Sequence, residues 1–214
     1  MPGTIWVQRV EDPRPFGVVK LNEQGQITDF VEKPTEFVSD LAIIGIYYFQ
    51  DGEYLRRELQ YLLDNDIKDK GEYQLTNALE NMKNQGTTFV PGRVTEWLDC
   101  GNKDATVYTN QRYLEYLQER GESLVSESAK ITNSVLIPPV YVGEGALITD
   151  SVVGPHVSLG NHSNVRNSVV SNSIIQTSAS VLHANVTNSM IGNHATVTSD
   201  PADLSLGDYN TLRV

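Results

Sequence analysis

The sequence lacks features that define several large classes of protein. Among its 214 residues, 16 Lys and Arg face 27 Asp and Glu, a net charge of −11. This balance argues against a nucleic-acid partner, because binding that backbone requires a basic face. No apolar run approaches the ~20 residues that span a bilayer, so we expect no membrane partner. Cys100 is the only cysteine, which excludes an internal disulfide and favours a cytoplasmic location.

A glycine-rich nucleotide turn is also missing. An α/β sheet that binds a nucleotide usually opens with a strand, a glycine-rich turn and a helix. No Gly-x-Gly or Gly-Lys-Thr-like turn follows an early strand here, although residues 1–121 otherwise alternate predicted strands and helices. The sequence therefore predicts an α/β domain of partial, Rossmann-like type over 1–121. A nucleotide ligand is not excluded, since one or two cations and a metal can hold its phosphates.

Several elements of this domain follow from local pattern. Residues 16–21 and 27–31 read as the strands of a hairpin, joined by turn chemistry at 22–25. The apolar run 41–49 is typical of a strand buried on both faces. Further short strands are predicted at 89–90 and 94–98. Leucines and Met82 at helical spacing predict two helices before residue 85, and Asn102 is placed to cap a third that ends near Gly121.

The last third of the chain repeats itself. Asn-Ser or Asp-Ser pairs with aliphatic neighbours recur, and three aliphatic registers advance along the chain at a nearly constant step. Three rows per repeat predict a triangular parallel β-helix over 131–198, with 122–130 as a linker and 199–214 as a tail. A β-sandwich with regular turns is the less favoured alternative. The registers are Ile131, Ile148, Val165, Val181, Val197; Ile137, Val153, Val170, Val186; and Val142, Leu159, Ile175, Ile191.

An acid and a base stand side by side where the predicted hairpin ends. Pro34 has no N–H and stops the ladder, which leaves Glu32 and Lys33 at a strand end, where α/β sheets bind ligands. Lys33 could hold a phosphate and Glu32 could accept hydrogen bonds from sugar hydroxyls. A solvated turn is the alternative. Gly17 marks either a bulge or a close approach of backbone to ligand, and Tyr47 suits a core as well as a pocket.

A second candidate group follows the predicted strand 94–98. Asp99 could coordinate Mg²⁺, which prefers oxygen ligands and needs one or two protein carboxylates plus substrate phosphates. The alternative is that Asp99 caps the next helix. The four histidines, His156, His162, His183 and His194, all fall in the repeats, without the spacing of a metal pair on one helix. Solvated turns explain them better than an acyltransferase base does.

Together these motifs resemble the sugar-nucleotide pyrophosphorylases, most closely the long form of glucose-1-phosphate thymidylyltransferase. The resemblance covers nearly the whole chain and implies that the β-helix is left-handed. The order of the motifs, weak singly, is what makes the match specific. The matching segments are 10–13 with 16–19, Glu32-Lys33-Pro34, 42–47, 71–76 and 97–101.

The resemblance implies a reaction and a role for each candidate residue. A sugar 1-phosphate and a nucleoside triphosphate give a nucleotide sugar and pyrophosphate, with Mg²⁺ offsetting charge. Lys33 would bind the sugar phosphate, Glu32 would hold sugar hydroxyls, and the Gly17 backbone would approach the sugar. Tyr47 would line the sugar pocket. The remaining implied roles are those of Asp99, as a metal carboxylate, and of Trp97 beside it.

The family's nucleotide loop and first metal aspartate would precede residue 1. We therefore expect a truncated chain that holds the sugar side of the active site and has no measurable nucleotidyltransferase activity alone. Pyrophosphate release by the purified chain would refute this. A hexapeptide-repeat acyltransferase and a non-catalytic scaffold or remnant are the alternatives. Association into a homo-oligomer, through the coils or exposed sheet surfaces, is expected.

Overall fold

The computed structural model of the protein describes residues 3–69 and 71–199. Its contacts divide the chain into two compact units, Met1–Trp97 and Leu98–Val214. The sequence placed the boundary after residue 121, whereas the helix before that point packs with the coils that follow it. The predicted tail, except for Ser199, lies outside the described residues.

The first unit is a five-stranded sheet with two helices. The strand order is β3-β2-β4-β1-β5, in which β1 and β5 are parallel and the other neighbouring strands are antiparallel. This confirms an α/β unit. Its elements are β1 Gly3–Arg9, β2 Val18–Leu21, β3 Ile27–Val31, β4 Leu41–Phe49, α1 Gly52–Asp64, α2 Leu75–Asn84 and β5 Phe89–Arg93.

Strand β1, which the element pattern above did not single out, lies inside the sheet. Its side chains alternate, so Ile5 and Val7 are buried while their neighbours are less so. They pack in one cluster with Leu79 and Met82 of α2 and with Phe89 of β5. Each large apolar side chain buried in this way contributes about 1.5–3 kcal/mol to folding. The helical face of the sheet is therefore the core of the first unit.

The predicted hairpin is confirmed, and its outer edge is closed by a helix. Gly25 has φ +76° at the turn, a conformation that glycine adopts without strain. Strand β3 is an edge strand, and its outward groups are met by α2: Phe30 N–H donates to Glu80 Oε2 at 3.1 Å, and Lys83 Nζ donates to the Thr28 carbonyl at 2.7 Å. These two bonds occupy backbone groups that an edge strand would otherwise leave open to a second chain.

Two strand predictions were wrong. Strand β4 is not buried on both faces, since Ile46 and Tyr48 are 50% and 55% exposed. In the part of the chain that the structure describes, α1 and α2 cover only the opposite face of this strand. Residues 94–98 form no strand, because pairing of β5 with β1 ends at Arg93. Strand β2 begins at Val18, two residues later than predicted, although the Gly17 carbonyl still accepts the Ile43 N–H at 2.8 Å.

The second unit is a helix followed by a parallel β-helix. Helix α3, Lys103–Glu119, begins where predicted, with the Asn102 side chain accepting the Ala105 N–H at 2.9 Å. The coils form three parallel sheets, β6-β9-β12-β15-β18, β7-β10-β13-β16 and β8-β11-β14-β17. Strands β6 to β18 are Lys130–Thr132, Val135–Leu136, Val140–Val142, Leu147–Thr149, Val152–Val153, Val157–Leu159, Asn164–Arg166, Val169–Ser171, Ser173–Ile175, Ser180–Leu182, Asn185–Thr187, Met190–Ile191 and Thr196–Thr198.

The first and third aliphatic registers are confirmed as columns of neighbouring strand partners. The second needs one correction. In the first coil the partner of Val153 is Leu136, and Ile137 is 41% exposed. The predicted partner, Ile137, lies one residue nearer to Val153 along the chain than the observed partner, because the early coils are one residue longer than the register assumed. Residues 124–129, predicted as linker, pair with the first coil, since Ser126 N–H donates to the Val142 carbonyl at 2.9 Å.

The repeated Asn-Ser and Asp-Ser pairs have a specific conformational role. The first residue of each pair turns a coil corner with positive φ, as Asp150 (+50°) and Asn167 (+48°) do. The following serine then bonds to the next coil: Ser151 Oγ accepts the Ser168 N–H at 3.1 Å, and Ser168 Oγ accepts the Ala184 N–H at 3.1 Å. The backbone N–H groups of Ser168 and Ala184 are thereby satisfied without water.

All four histidines occupy corners of the same kind. Their φ values are positive: +58° at His156, +58° at His162, +54° at His183 and +59° at His194. Histidine is among the residues enriched in this region of backbone conformation. The positive φ explains why histidine is tolerated at these corners, and the acyltransferase alternative stays untested. Across the described residues, no helix has the length and apolar character needed to cross a membrane.

Candidate functional site

Three of the predicted site residues meet in one cleft of the first unit. Gly17, Glu32 and Tyr47 line a space of about 280 Å³. They come from the segment before β2, the end of β3 and the outer half of β4, so three neighbouring strands supply the wall. The other lining residues are Pro15, Phe16, Ile43, Gly45, Gln74, Leu75 and Thr76.

The Glu32 carboxylate is held in place from α2. The Thr76 hydroxyl donates to Glu32 Oε2 at 3.1 Å, and Thr76 itself is buried near the start of that helix. Gly17 completes the arrangement, because a β-carbon there would lie 2.8 Å from Glu32 Oε2 and 3.0 Å from Thr76 Cγ2. A side chain at this position would require the carboxylate to shift away from its present place. Sequence reasoning gave Thr76 no role, because no local pattern pairs residues 44 positions apart.

A bulge in β4 shapes the opposite wall. In the pairing of β1 with β4, Ile5 lies opposite Tyr47 and Val7 lies opposite Ile43. The segment of β4 between these two pairs is longer than that of β1, so β4 bulges. Gly45 lies in this bulge with φ +80°. A glycine in such a conformation is a common bulge residue, and bulges re-aim the side chains around them. Gly45 was not predicted as a site residue, although a glycine inside an apolar strand often marks a bulge.

Tyr47 is a partly buried phenol facing the acid. Burial raises the pKa of Tyr47, and the negative charge of Glu32 raises it further. The phenol therefore stays protonated at neutral pH and keeps a hydroxyl donor in the cleft. Its ring also stacks with Phe49 at 6.1 Å between centroids, which links the cleft wall to the core.

Lys33 lies beside the cleft rather than among its lining residues. Its backbone adopts φ +39°, and its side chain is exposed. The Lys33 N–H donates to the Phe16 carbonyl at 3.1 Å, and the next residue, Pro34, is buried. A positive φ at a residue other than glycine costs about 1–2 kcal/mol, and such strain clusters at functional sites.

Trp97 reaches the cleft through an aromatic contact. Its ring meets Phe16 edge to face, with centroids 5.3 Å apart and planes inclined by 70°. Phe16 is a lining residue, so Trp97 backs one wall. Aromatic pairs of this geometry contribute about 0.5–1.5 kcal/mol beyond their buried area.

Asp99 belongs to the second unit and follows an irregular segment, not a strand. Its Oδ2 accepts the Gly101 N–H at 3.1 Å. The alternative role as helix cap was wrong, because Asn102 caps α3. No cluster of three or more metal-binding side chains occurs in the residues the structure describes. A single part-exposed carboxylate suits Mg²⁺ that shares its other ligands with water and a substrate phosphate.

Comparison with known proteins identifies the class of molecule that this fold and cleft define. Residues 2–116 match the family model described as nucleotidyl transferase, which is more than half of the chain. Residues 120–175 match the model described as GlmU-like, C-terminal hexapeptide. The chain therefore belongs to the nucleotidyl transferase family and carries a hexapeptide-repeat β-helix.

Its relatives act on several sugars and nucleotides. The chain is 31% identical to a glucose-1-phosphate thymidylyltransferase of Streptomyces griseus, over 98% of this chain and 63% of that protein. It is 29% identical to the thymidylyltransferase of Streptomyces antibioticus, over 65% and 41%. It is 30% identical to the mannose-1-phosphate guanylyltransferase catalytic subunit beta of Drosophila melanogaster, over 64% and 34%. The chain thus spans less than two thirds of the length of each.

Proposed function

We propose that the cleft binds the sugar of a sugar 1-phosphate, and that the chain serves the transfer of a nucleotidyl group to that phosphate. One observation carries the proposal: the Glu32 carboxylate is fixed by Thr76 at a wall where Gly17 has no side chain. A fixed acceptor beside exposed backbone is what recognition of a polyhydroxylated ring requires.

The cleft offers both polar and apolar contacts to a hexose. Thr76 occupies one carboxylate oxygen of Glu32, and the other oxygen can accept from a sugar hydroxyl. Such charge-assisted hydrogen bonds are about twice as strong as neutral ones. The Tyr47 hydroxyl and the rings of Tyr47 and Phe16 supply a further polar contact and faces for the sugar C–H groups.

The phosphate needs positive charge, which Lys33 and Mg²⁺ would supply. Lys33 follows Glu32 directly, so a sugar held by Glu32 brings its phosphate within the reach of a long, exposed side chain. By resemblance, Asp99 would hold the metal, which offsets the charge on the phosphates when bound. The residues of this chain then act by positioning the sugar phosphate for attack on the α-phosphorus of the nucleotide, with pyrophosphate leaving.

The names of the relatives support this substrate class. They share a sugar 1-phosphate and differ in both the sugar and the nucleotidyl group. We propose the same shared substrate here, with the cleft residues selecting the sugar. A nucleoside triphosphate would be the second substrate. A cytoplasmic location, no nucleic-acid partner and a homo-oligomer are the accompanying expectations, from the single cysteine, the acidic balance and the coils respectively.

Calorimetric titration with glucose 1-phosphate, with and without Mg²⁺, tests the proposal. We expect saturable binding that Lys33→Ala and Glu32→Gln each weaken on the order of tenfold, since each removes a charge-assisted contact. Lys20→Ala is the matched control, because Lys20 is an exposed lysine of β2 outside the cleft. Titration with mannose 1-phosphate would report on the choice of sugar.

Two results would count against the proposal. Binding that Lys20→Ala weakens as much as Lys33→Ala would show that net charge, not the cleft, attracts the phosphate. Turnover of acetyl-coenzyme A by the purified chain, without sugar-phosphate binding, would instead favour an acyltransferase function for the coils.

A further inference from the structure

Helix α3 touches the segment that carries Asp99 on one side. The Thr109 hydroxyl donates to the Asp99 backbone carbonyl at 2.5 Å. One turn earlier, the Thr106 hydroxyl donates to the Asn102 carbonyl at 2.8 Å and lies 3.2 Å from the Cys100 carbonyl. The carbonyl of the Asp99–Cys100 peptide is thus bonded to the first half of α3, and the next carbonyl lies close to the same helix. The Asp99 side chain is fixed in turn by its bond to the Gly101 N–H.

The other side of the same helix is anchored to the β-helix. Near its start, the Asn188 side chain donates to Asp104 Oδ1 at 3.1 Å, and Lys103 Nζ donates to the Asn188 carbonyl at 3.0 Å. Towards its end, His156 Nε2 lies 3.0 Å from Glu115 Oε1. The two coil residues are corners with positive φ, and they stand two coils apart in the stack.

Contacts between these two anchors close the interface. In the middle of the helix, the Ser158 hydroxyl donates to Asn110 Oδ1 at 2.6 Å. Val107 and Leu114 are buried on the inner face, 1% and 2% exposed. A helix fixed at its start, middle and end has little freedom to slide or roll against the coils.

We infer that the β-helix sets the position of the Asp99 carboxylate through α3, with Thr109 as the positioning residue and Asn188 as the main anchor. The linkage deepens the proposed function, on which its meaning for metal binding rests. It gives the coils a role in holding the candidate metal ligand, besides any role in assembly. A ligand whose neighbours hold it in place binds metal more tightly than a mobile one.

The linkage itself is tested in the full chain by hydrogen exchange of the Gly101 amide, whose N–H donates to the Asp99 carboxylate. Asn188→Gly removes the anchoring side chain and keeps the corner conformation, since glycine accepts positive φ. Asn167→Gly is the matched control, because Asn167 has the same φ of +48° and bonds to His183 instead of α3. We expect faster exchange at the Gly101 amide in Asn188→Gly alone. Equal exchange in the two variants would overturn the inference, whether or not Asp99 binds a metal.

The consequence for the carboxylate is tested with Mn²⁺ as the probe, by electron paramagnetic resonance in the presence of glucose 1-phosphate. Thr109→Val should weaken Mn²⁺ binding on the order of tenfold, as loss of an orienting hydrogen bond does, and Thr109→Ser should restore it. If exchange is faster in Thr109→Val but the Mn²⁺ affinity is unchanged, Thr109 stabilises the local backbone without setting the position of the carboxylate. That result would overturn its positioning role.

Asp99→Asn separates this inference from the proposed function. If that variant binds Mn²⁺ as the parent chain does, the metal assignment of Asp99 fails. Faster exchange in Asn188→Gly would still support the linkage. If Asp99→Asn loses Mn²⁺ binding while Thr109→Val keeps it, the metal assignment stands and the positioning role is refuted.

Discussion

Gly17 and the Glu32 carboxylate are in such close approach that a β-carbon on Gly17 would stand 2.8 Å from Oε2. Contacts of that length are not found between real atoms of these types, so one of the two groups would have to move. Glu32 is also bonded to Thr76, which limits how it can move. The missing side chain at Gly17 is therefore part of the packing that holds Glu32 in the cleft, and not simply a weak point in a strand.

Gly17→Ala should lower affinity for glucose 1-phosphate on the order of tenfold and cost about 1–3 kcal/mol of stability, because the added methyl overpacks the wall. Gly52→Ala is the control, since no atom lies within 4 Å of a β-carbon there. Calorimetric titration and chemical denaturation measure the two effects. Unchanged affinity in Gly17→Ala would mean that Glu32 does not contact the sugar.

Two serines of the β-helix should respond in opposite directions to the same substitution. Ser163 Oγ is buried without a hydrogen-bond partner, and the matching positions of the neighbouring coils are the buried residues Ala146 and Ala179. Ser163→Ala should stabilise the coils by about 1 kcal/mol, since an unpaired buried hydroxyl costs about 1–3 kcal/mol. Ser168→Ala should destabilise them by a similar amount, because Ser168 Oγ accepts the Ala184 N–H.

The free energy of unfolding of the coils, taken from hydrogen exchange of their amides, checks this pair. Local exchange is the appropriate measurement, because two compact units need not unfold together. Destabilisation by Ser163→Ala would show that its hydroxyl has a partner, such as a buried water.

The histidine corners predict a dependence on backbone conformation. His194 is exposed and has φ +59°. His194→Asn and His194→Gly should change stability by no more than about 0.5 kcal/mol, whereas His194→Val should cost more than about 1 kcal/mol, since a β-branched residue is an outlier at positive φ. Thermal unfolding of the three variants measures the difference. Equal stabilities would contradict the corner role.

Tyr47 predicts a stability change in alkaline solution. Its pKa is raised in the folded chain, first by burial and then by the charge of Glu32. A group whose pKa is higher in the folded chain than in the unfolded chain adds to the stability of the native state. For a tyrosine this contribution is complete below the unfolded pKa of about 10, and it is lost as the pH rises through the folded pKa. Stability should therefore fall less steeply above pH ~10 in Tyr47→Phe than in the parent chain. Parallel denaturation curves at a series of alkaline pH values test this.

The β-helix could be predicted from the sequence because its contacts repeat. Each coil stacks on its neighbour at a nearly constant distance along the chain, so Ile148, Val165 and Val181 occupy equivalent positions and reveal the period. The Asn-Ser pairs carry the corner conformation in the same local way. The one register error, Ile137 for Leu136, arose because the step varies slightly between coils and two adjacent aliphatic residues both fit the pattern.

The most important contact of the cleft could not be predicted from the sequence. The sequence identified Gly17, Glu32 and Tyr47 through family motifs, but the bond between Glu32 and Thr76 joins a strand end to a helix 44 residues later. The same holds for Asp104 and Asn188, which are 84 residues apart and anchor α3 to the coils. Periodicity and propensity act between near neighbours, so the sequence determined the elements and the coils. Packing of distant side chains decided how the candidate site residues are held.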